Sequence, residues 1–311
     1  VAISLRGLFG HNISGKVMCF LKKLVSVLLL FSAIFVAGVA WGDDSVSKKG
    51  VLMVSFGTTV PSGQKAIDNL FATLKSVCPD KEVRLAYTSN IIRRKLAKEE
   101  NKMIDSPMIA LSKMRDEGFT DVVVVSTHII PGEEYGDLEE IVRAFQSVRG
   151  KYGFDRLVLS EPLLYHEEDF EAMAGFLDRT YGDKVDEDSV VVLMGHGTPD
   201  FANAAYGHLQ TVLESSLPGF IVGTVEGAPT LDDVLLRLKA KGARKATLAP
   251  FMIVAGDHAT NDMAGPEDDS WVTVIKGDGY RISSVLKGLG EYDEIGAMLV
   301  RKYRAAAGDG F

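Results

Sequence analysis

Of the six histidines in the chain, two stand where an imidazole could do chemistry. His196 lies in Val190-Val191-Val192-Leu193-Met194-Gly195-His196-Gly197-Thr198-Pro199, a β-branched apolar run followed at once by Gly-His-Gly. Such a run predicts a buried parallel strand that presents the ring in a tight loop at its carboxyl end, the edge at which open α/β sheets bind ligands. His258 follows another apolar run, in Gly256-Asp257-His258-Ala259, and Glu226 closes a third, in Val222–Val225. Two imidazoles and one carboxylate suit a divalent first-row metal (Co²⁺, Fe²⁺, Ni²⁺ or Zn²⁺) and leave coordination positions open. Open positions let a substrate reach the metal, or let the metal leave. Asp257, or Asn261 and Asp262 one turn on, could orient the His258 ring.

Three residues so far apart in sequence need a scaffold, and the pattern supplies one. From Gly50 strand and helix alternate. Strands are expected at Val51–Ser55, Val83–Tyr87, Val122–Val125 and Leu157–Leu159, then again near 190–194, 220–224, 245–250 and 271–275. Helices fit Ser62–Val77, the stretch from Ser106-Pro107 to Gly118, Asp137–Val148, a segment ending near Tyr181, one from about Asp200, Thr230 to Gly242, and a last one to about Tyr303. Thr230 with Asp233 reads as a capping box.

The halves also match in local sequence. Val51-Leu52-Met53-Val54-Ser55-Phe56-Gly57-Thr58-Thr59 resembles the run through Gly195-His196-Gly197-Thr198-Pro199, and the segments after the second and third strands align as well. The fold expected is α/β: two similar lobes related by internal duplication, each a four-stranded parallel sheet flanked by helices. The boundary falls in the Asp- and Gly-bearing stretch 182–189, giving lobes 43–185 and 186–311. At the strand mouths the alignment sets Phe56, Tyr87 and Glu134 of the first lobe against His196, Glu226 and His258 of the second. Two imidazoles and a carboxylate replace two aromatics and an acid, which places the metal site on the C-terminal lobe.

Residues 1–42 are expected to be upstream residues and a signal peptide. Lys22-Lys23 forms the basic start, Leu24–Val39 the apolar core and Ala40-Trp41-Gly42 the small-x-small cleavage site, which predicts export to the periplasm with no stable membrane span after cleavage. This segment carries Arg6, Lys16, Lys22 and Lys23 and no acid, so the rest is more acidic than the overall net charge of −8. Such a surface argues against a nucleic-acid partner. Cys78 is the only cysteine beyond the leader, which excludes an internal disulfide and a cysteine-based zinc or iron–sulfur site. There is no phosphate loop, no Gly-x-Gly-x-x-Gly after a strand and no Gly-x-Ser-x-Gly, so no nucleotide cofactor is expected.

Among the remaining candidates, His128 either lines the cleft or is a satisfied core histidine. His166 reads as a surface residue near a helix start and His208 as helix packing. Arg93-Arg94-Lys95 could grip carboxylates but more often forms a solvated helix face.

Ser55-Phe56-Gly57-Thr58, His128-Ile129-Ile130-Pro131-Gly132-Glu133-Glu134, Gly195-His196-Gly197-Thr198, Val225-Glu226-Gly227 and the long run from Gly256-Asp257-His258-Ala259 through Asn261-Asp262-Met263-Ala264-Gly265 together resemble the anaerobic cobalt chelatases. These are sirohydrochlorin cobaltochelatases of the class II, ATP-independent kind, and the resemblance covers residues 50–305. It implies a bilobal enzyme that inserts Co²⁺ into sirohydrochlorin, or precorrin-2, on the early-insertion route to cobalamin; the export signal adds Fe²⁺ as an alternative metal, and the donor set Ni²⁺. It implies His196 and His258 as the metal-binding and catalytic pair, with Glu226 as third ligand. Substrate carboxylates are expected on the first-lobe amides of Gly57-Thr58-Thr59, with Phe56, Tyr87, His128 and Glu134 as further substrate-facing residues. The export signal is the departure: a secreted chelatase opens the alternative of an exported metal or tetrapyrrole carrier without turnover. Apolar helix faces leave room for a homo-oligomer.

Overall fold

The computed structural model describes residues 47–309 and 311. The expected leader, 1–42, lies outside the described residues. Among those described, no helix is long and apolar enough to cross a membrane.

The first sheet is built around β1 (Lys48–Ser55), whose Val51, Leu52, Met53 and Val54 are fully buried. A strand apolar on both faces needs neighbours in the sheet and helices above and below. β2 (Glu82–Tyr87) and β3 (Phe119–Ser126) flank it in parallel, and β4 (Arg156–Leu159) pairs with β3, giving the order β2-β1-β3-β4. β5 (Ser189–Gly197) holds the same central place in the second sheet, between β6 (Phe220–Glu226) and β7 (Lys245–Phe251), with β8 (Arg281–Ser284) outside β7. The two orders are identical.

The register repeats too. Val51 pairs with Val83, and Val191 with Phe220. The bond from Tyr87 N to Asp105 O (3.0 Å) recurs as Thr224 N to Pro229 O (2.7 Å). Leu163 N to His128 O (3.0 Å) recurs as Leu289 N to Met252 O (2.8 Å). Tyr87 stands where the second lobe has Thr224, and the counterpart of Glu226 is Ser89, which bonds Phe56 O through its amide.

The helices of the first half are α1 (Pro61–Ser76), α2 (Asn90–Glu99), α3 (Pro107–Asp116), α4 (Glu133–Ser147) and α5 (Glu167–Tyr181). Those of the second are α6 (Ala204–Ser216), α7 (Leu231–Lys241), α8 (Trp271–Gly277) and α9 (Asp293–Ala307). Their starts follow local chemistry. Ser89, Ser106, Thr230 and Ser270 each accept a bond from an amide in the first turn. Helix α2 carries Arg93-Arg94-Lys95, in keeping with the helix-face reading of that run, and it has no equivalent between β6 and α7. The strand expected at 271–275 is instead α8. Ser270 caps it, and Trp271 and Ile275, one helical turn apart, are both buried.

Three cores hold these layers. The outer faces of the two sheets pack separately, and one shared core joins β1 and β3 to β5, β6 and β7 through α1, α5, α6 and α9. Assigning 186–311 wholly to the second lobe therefore needs amending. Helix α9 returns to pack on α1 and β3, while α5 packs on α6. From β4, Arg156 donates to the carbonyls of Ala306 (2.7 Å) and Ala307 (2.5 Å), a cation at the negative end of α9. Lys302 of α9 is buried against Asp169 (2.5 Å) and Glu161 (3.3 Å). Each last helix thus seals the seam between the sheets.

Candidate active site

The loop that carries His196 is shaped by its two glycines. A Cβ on Gly195 would sit 2.3 Å from the ring of Tyr206, which lies beneath it on α6. Gly197 has φ +85°, and a Cβ there would fall 1.5 Å from the carbonyl oxygen of Glu226. Only glycine lets the chain pass so close to β6. The Tyr206 hydroxyl accepts the Gly197 amide at 3.5 Å, and burial pushes its pKa up to about 12, so it stays a neutral support. Sequence reasoning missed Tyr206, because an aromatic within a helix signals core before it signals loop support.

His196 is the one exposed residue of β5. Its Nδ1 lies 2.9 Å from the carbonyl oxygen of Gly197. A carbonyl can only accept, so Nδ1 carries the proton and Nε2 keeps a lone pair. His258, half-buried, opens a short π-helical turn (Ala259–Met263), and its Nδ1 lies 2.5 Å from Asp262 Oδ2. A carboxylate oxygen accepts, so Nδ1 is the donor here too, and Nε2 makes no hydrogen bond among the described residues. Of the orienting residues expected, Asp262 does the work. Asn261 bonds instead to Asp257 at 2.8 Å. The two imidazoles meet edge to face, with centroids 4.7 Å apart and planes at 83°.

Glu226 ends β6 directly opposite Gly197 in register, and its side chain is exposed. Among the described residues, no three His, Cys, Asp or Glu side chains are gathered tightly enough to hold a metal ion. The structure therefore brings His196 and His258 together and leaves Glu226 on the adjoining strand, within the same mouth.

Facing them are the first-lobe loops. Phe56, the counterpart of His196, is 45% exposed. Gly57 has φ +100° and rests on the ring of Tyr87; Thr58 is buried, its Oγ1 accepting the Val60 amide at 3.0 Å. The mouths touch: a Cβ on Gly63 would meet Val254 of the second lobe, and one on Gly132 would lie 3.6 Å from Thr198. Glu134 lies half-buried in the first turn of α4, at the counterpart of His258, where the positive helix end favours a carboxylate.

Two expected substrate-facing residues are placed otherwise. Tyr87 is fully buried, with its hydroxyl on Gln64 Oε1 (3.0 Å), so it shapes the Gly57 turn from below. His128 bonds Ser126 Oγ through Nδ1 (2.8 Å) and packs edge-on to Tyr135, while its Nε2 is buried without a partner. Burial pushes this imidazole down to about 4, so it is neutral near neutral pH. The other two histidines of the described residues lie outside the mouth. His166 bonds Glu161 (3.0 Å), and His208 bonds Glu167 (2.7 Å) and meets Phe170 edge to face. Arg93, on α2, donates to the carbonyl of Ile104 and to Asn90 Oδ1 of the same helix.

The sequence profile of the family described as cobalt chelatase (CbiK) matches residues 49–307. A protein of Salmonella typhimurium named sirohydrochlorin cobaltochelatase is 39% identical over 254 residues, covering 81% of this chain and 94% of that protein. The sirohydrochlorin cobaltochelatase CbiKC of Nitratidesulfovibrio vulgaris is 38% identical over 250 residues, covering 80% and 86%. Among solved structures, SirB from Bacillus subtilis with Fe³⁺ superposes with a TM-score of 0.56 at 16% identity, covering 84% of this chain and 96% of that one. CbiX, described as the terminal enzyme of siroheme biosynthesis in denitrifying bacteria, gives 0.51 at 15% identity, covering 83% and 99%. At such identities the two structures speak for the fold.

Proposed function

The chain belongs to the cobalt chelatase family, and we propose that it inserts Co²⁺ into sirohydrochlorin without ATP, using His196 and His258, with Glu226 as third ligand. The observation that carries this reading is the edge-to-face pair of imidazoles at the strand mouths, each with Nδ1 engaged and Nε2 free. Co²⁺ enters as substrate and exchanges its waters for imidazole and carboxylate. The macrocycle gives up two pyrrole N–H protons, and the metal passes from protein ligands to four pyrrole nitrogens. The balance is one Co²⁺ in and two protons out, with no redox change and no need for a nucleotide. An Nε2 lone pair not engaged with the metal, or the Glu226 carboxylate, can accept a proton as it leaves. A flexed ring exposes its nitrogens to the metal, and contacts made by the ring's periphery can supply that distortion. Phe56 and the Gly57-Thr58 turn face the same mouth and form the peripheral seat in this proposal, with Glu134 on its rim.

The leader-like 1–42 supports a periplasmic address. The exposed Ile91 of α2, and Met108 and Ile109 of α3, support self-association. The test is anaerobic turnover by the protein from Asp43 onward, with sirohydrochlorin and Co²⁺, Fe²⁺ or Ni²⁺, followed by absorbance. Many turnovers per site above the uncatalysed rate are expected, fastest with Co²⁺. A single metallated tetrapyrrole per site would replace the enzyme reading with that of an exported carrier.

A further inference from the structure

We infer that Asn203, in the turn that leads into α6, is a positioning residue that fixes the His196 loop to the Glu226 loop. The inference rests on the reading of those two side chains as metal ligands. The Asn203 Oδ1 accepts the amide of Thr198 at 3.0 Å, and its Nδ2 donates to the carbonyl of Ala228. An amide can only donate and a carbonyl can only accept, so the two partners fix which way round the carboxamide sits. Thr198 lies two residues beyond His196, and Ala228 two residues beyond Glu226. A single side chain therefore spans the gap between the two loops.

Glycines close the rest of that gap. Gly227 has φ +89°, and a Cβ there would fall 2.9 Å from Asn203 Cγ and from Thr198 O. With Gly197 against the Glu226 carbonyl, the loops lie backbone to backbone, and Asn203 is the polar tie across them. Without it, the Thr198 N–H and the Ala228 carbonyl would turn to water, and each loop would have to be ordered separately when the metal binds.

The other lobe provides an internal control. By the same register, Thr198 corresponds to Thr58 and Asn203 to Gly63. The threonines keep a shared turn, in which Oγ1 accepts the amide two residues on, at 3.0 Å in Thr58 and 3.5 Å in Thr198. Gly63 has no side chain to make a tie, and Val254 of the second lobe fills the space beside it. The chain after Ser89 also leaves into α2 and returns only at Asp105. The tie exists only where the metal residues are.

The test compares Asn203→Ala and Asn203→Asp with the unaltered protein in anaerobic Co²⁺ titration without tetrapyrrole, in turnover against Co²⁺ concentration, and in amide hydrogen exchange at Thr198. Asn203→Ala should weaken Co²⁺ binding about 10-fold or more, the range seen when a group that orients a ligand is removed. It should raise the KM for Co²⁺ more than it lowers kcat, and speed exchange at Thr198, with Tm held. Asn203→Asp keeps the Thr198 bond but sets a carboxylate against the Ala228 carbonyl, so it should protect Thr198 and still weaken Co²⁺ binding. Unchanged Co²⁺ affinity in both variants would overturn the inference, as would weakened binding that only tracks a loss of folded protein. If the unaltered protein bound no Co²⁺, the proposed function would fail separately. Thr198 exchange would then decide the tie: faster in Asn203→Ala supports it, and unchanged exchange overturns it.

Discussion

The two lobes share strand order, register and even matching loop hydrogen bonds, yet they place opposite chemistry at one edge. In the first, β1 ends in an exposed Phe56 flanked by Thr88 and His128, and α4 begins at Glu133 and runs unbroken to Ser147. In the second, β5 ends in His196 flanked by Val225 and Met252, and the helix after β7 is replaced by a π turn that lets His258 reach Asp262. The titratable residue sits at the mouth in one lobe and beside it, buried, in the other. A repeated scaffold thus presents two different mouths: one copy carries a pair of imidazoles, the other an exposed aromatic ring and a glycine turn.

The largest effect should come from erasing the second lobe's chemistry. On the proposed roles of these residues, His196→Ala or His258→Ala should lower turnover by roughly 10²–10⁴-fold, the scale of losing a general base. Both are at least partly exposed, so the thermal midpoint should hold. Anaerobic turnover paired with a melting curve checks this, and retained activity in either variant would remove that residue from the mechanism. Next comes the carboxylate behind His258: Asp262→Asn should weaken Co²⁺ binding about 10- to 100-fold in a direct titration.

The glycines discriminate between the lobes more finely. Gly197→Ala meets a backbone carbonyl as well as a left-handed φ, whereas Gly57→Ala meets the ring of Tyr87. The conformational strain alone is about 1–3 kcal/mol in each. The second-lobe variant should lose more stability in denaturant unfolding, because a backbone cannot rotate away; equal losses would contradict the assigned packing.

The smallest effect concerns pH. His128 is neutral when folded, with its pKa pushed down to about 4 from an ordinary 6.5. Below 6.5 the unfolded chain takes up a proton that the folded chain refuses. Stability from this group is therefore full above pH 6.5 and is lost as pH falls toward 4, by at most about 3 kcal/mol for one proton. His128→Met, which installs the second lobe's residue, should flatten that part of the stability–pH curve and leave turnover at neutral pH within about 2-fold. An unchanged slope would show that other groups set it.

What the sequence determined by itself was whatever local pattern can state. The run Val190–Met194 with Gly-His-Gly has one reasonable solution, a buried strand ending in a presented imidazole, and its echo at Val51–Gly57 announces the duplication. The cap at Thr230 with Asp233 and the stop at Gly242 were equally legible, because capping is local chemistry. Trp271–Ile275 misled, since a β-branched and aromatic run favours a strand until the bond from the Thr273 amide to Ser270 Oγ starts a helix. Matching Tyr87 to Glu226 failed for a different reason. The true register differs by two residues, and a slip of two leaves every side chain on the same face, so the apolar pattern cannot detect it.

Only the tertiary structure decided the rest. The amphipathic pattern of α9 says that one face is buried, but not that it lies on α1 and β3 of the other half. Asp257 and Asp262 look equally suited to hold His258 until the turn's geometry selects Asp262. Tyr206 beneath Gly195 and Asn203 across the two loops carry no motif at all, since their role comes from packing between segments distant in the chain. Local propensity and periodicity act over a few residues, so they specify which side chains are offered at each strand end. Which of them meet depends on register and layer packing across the whole fold.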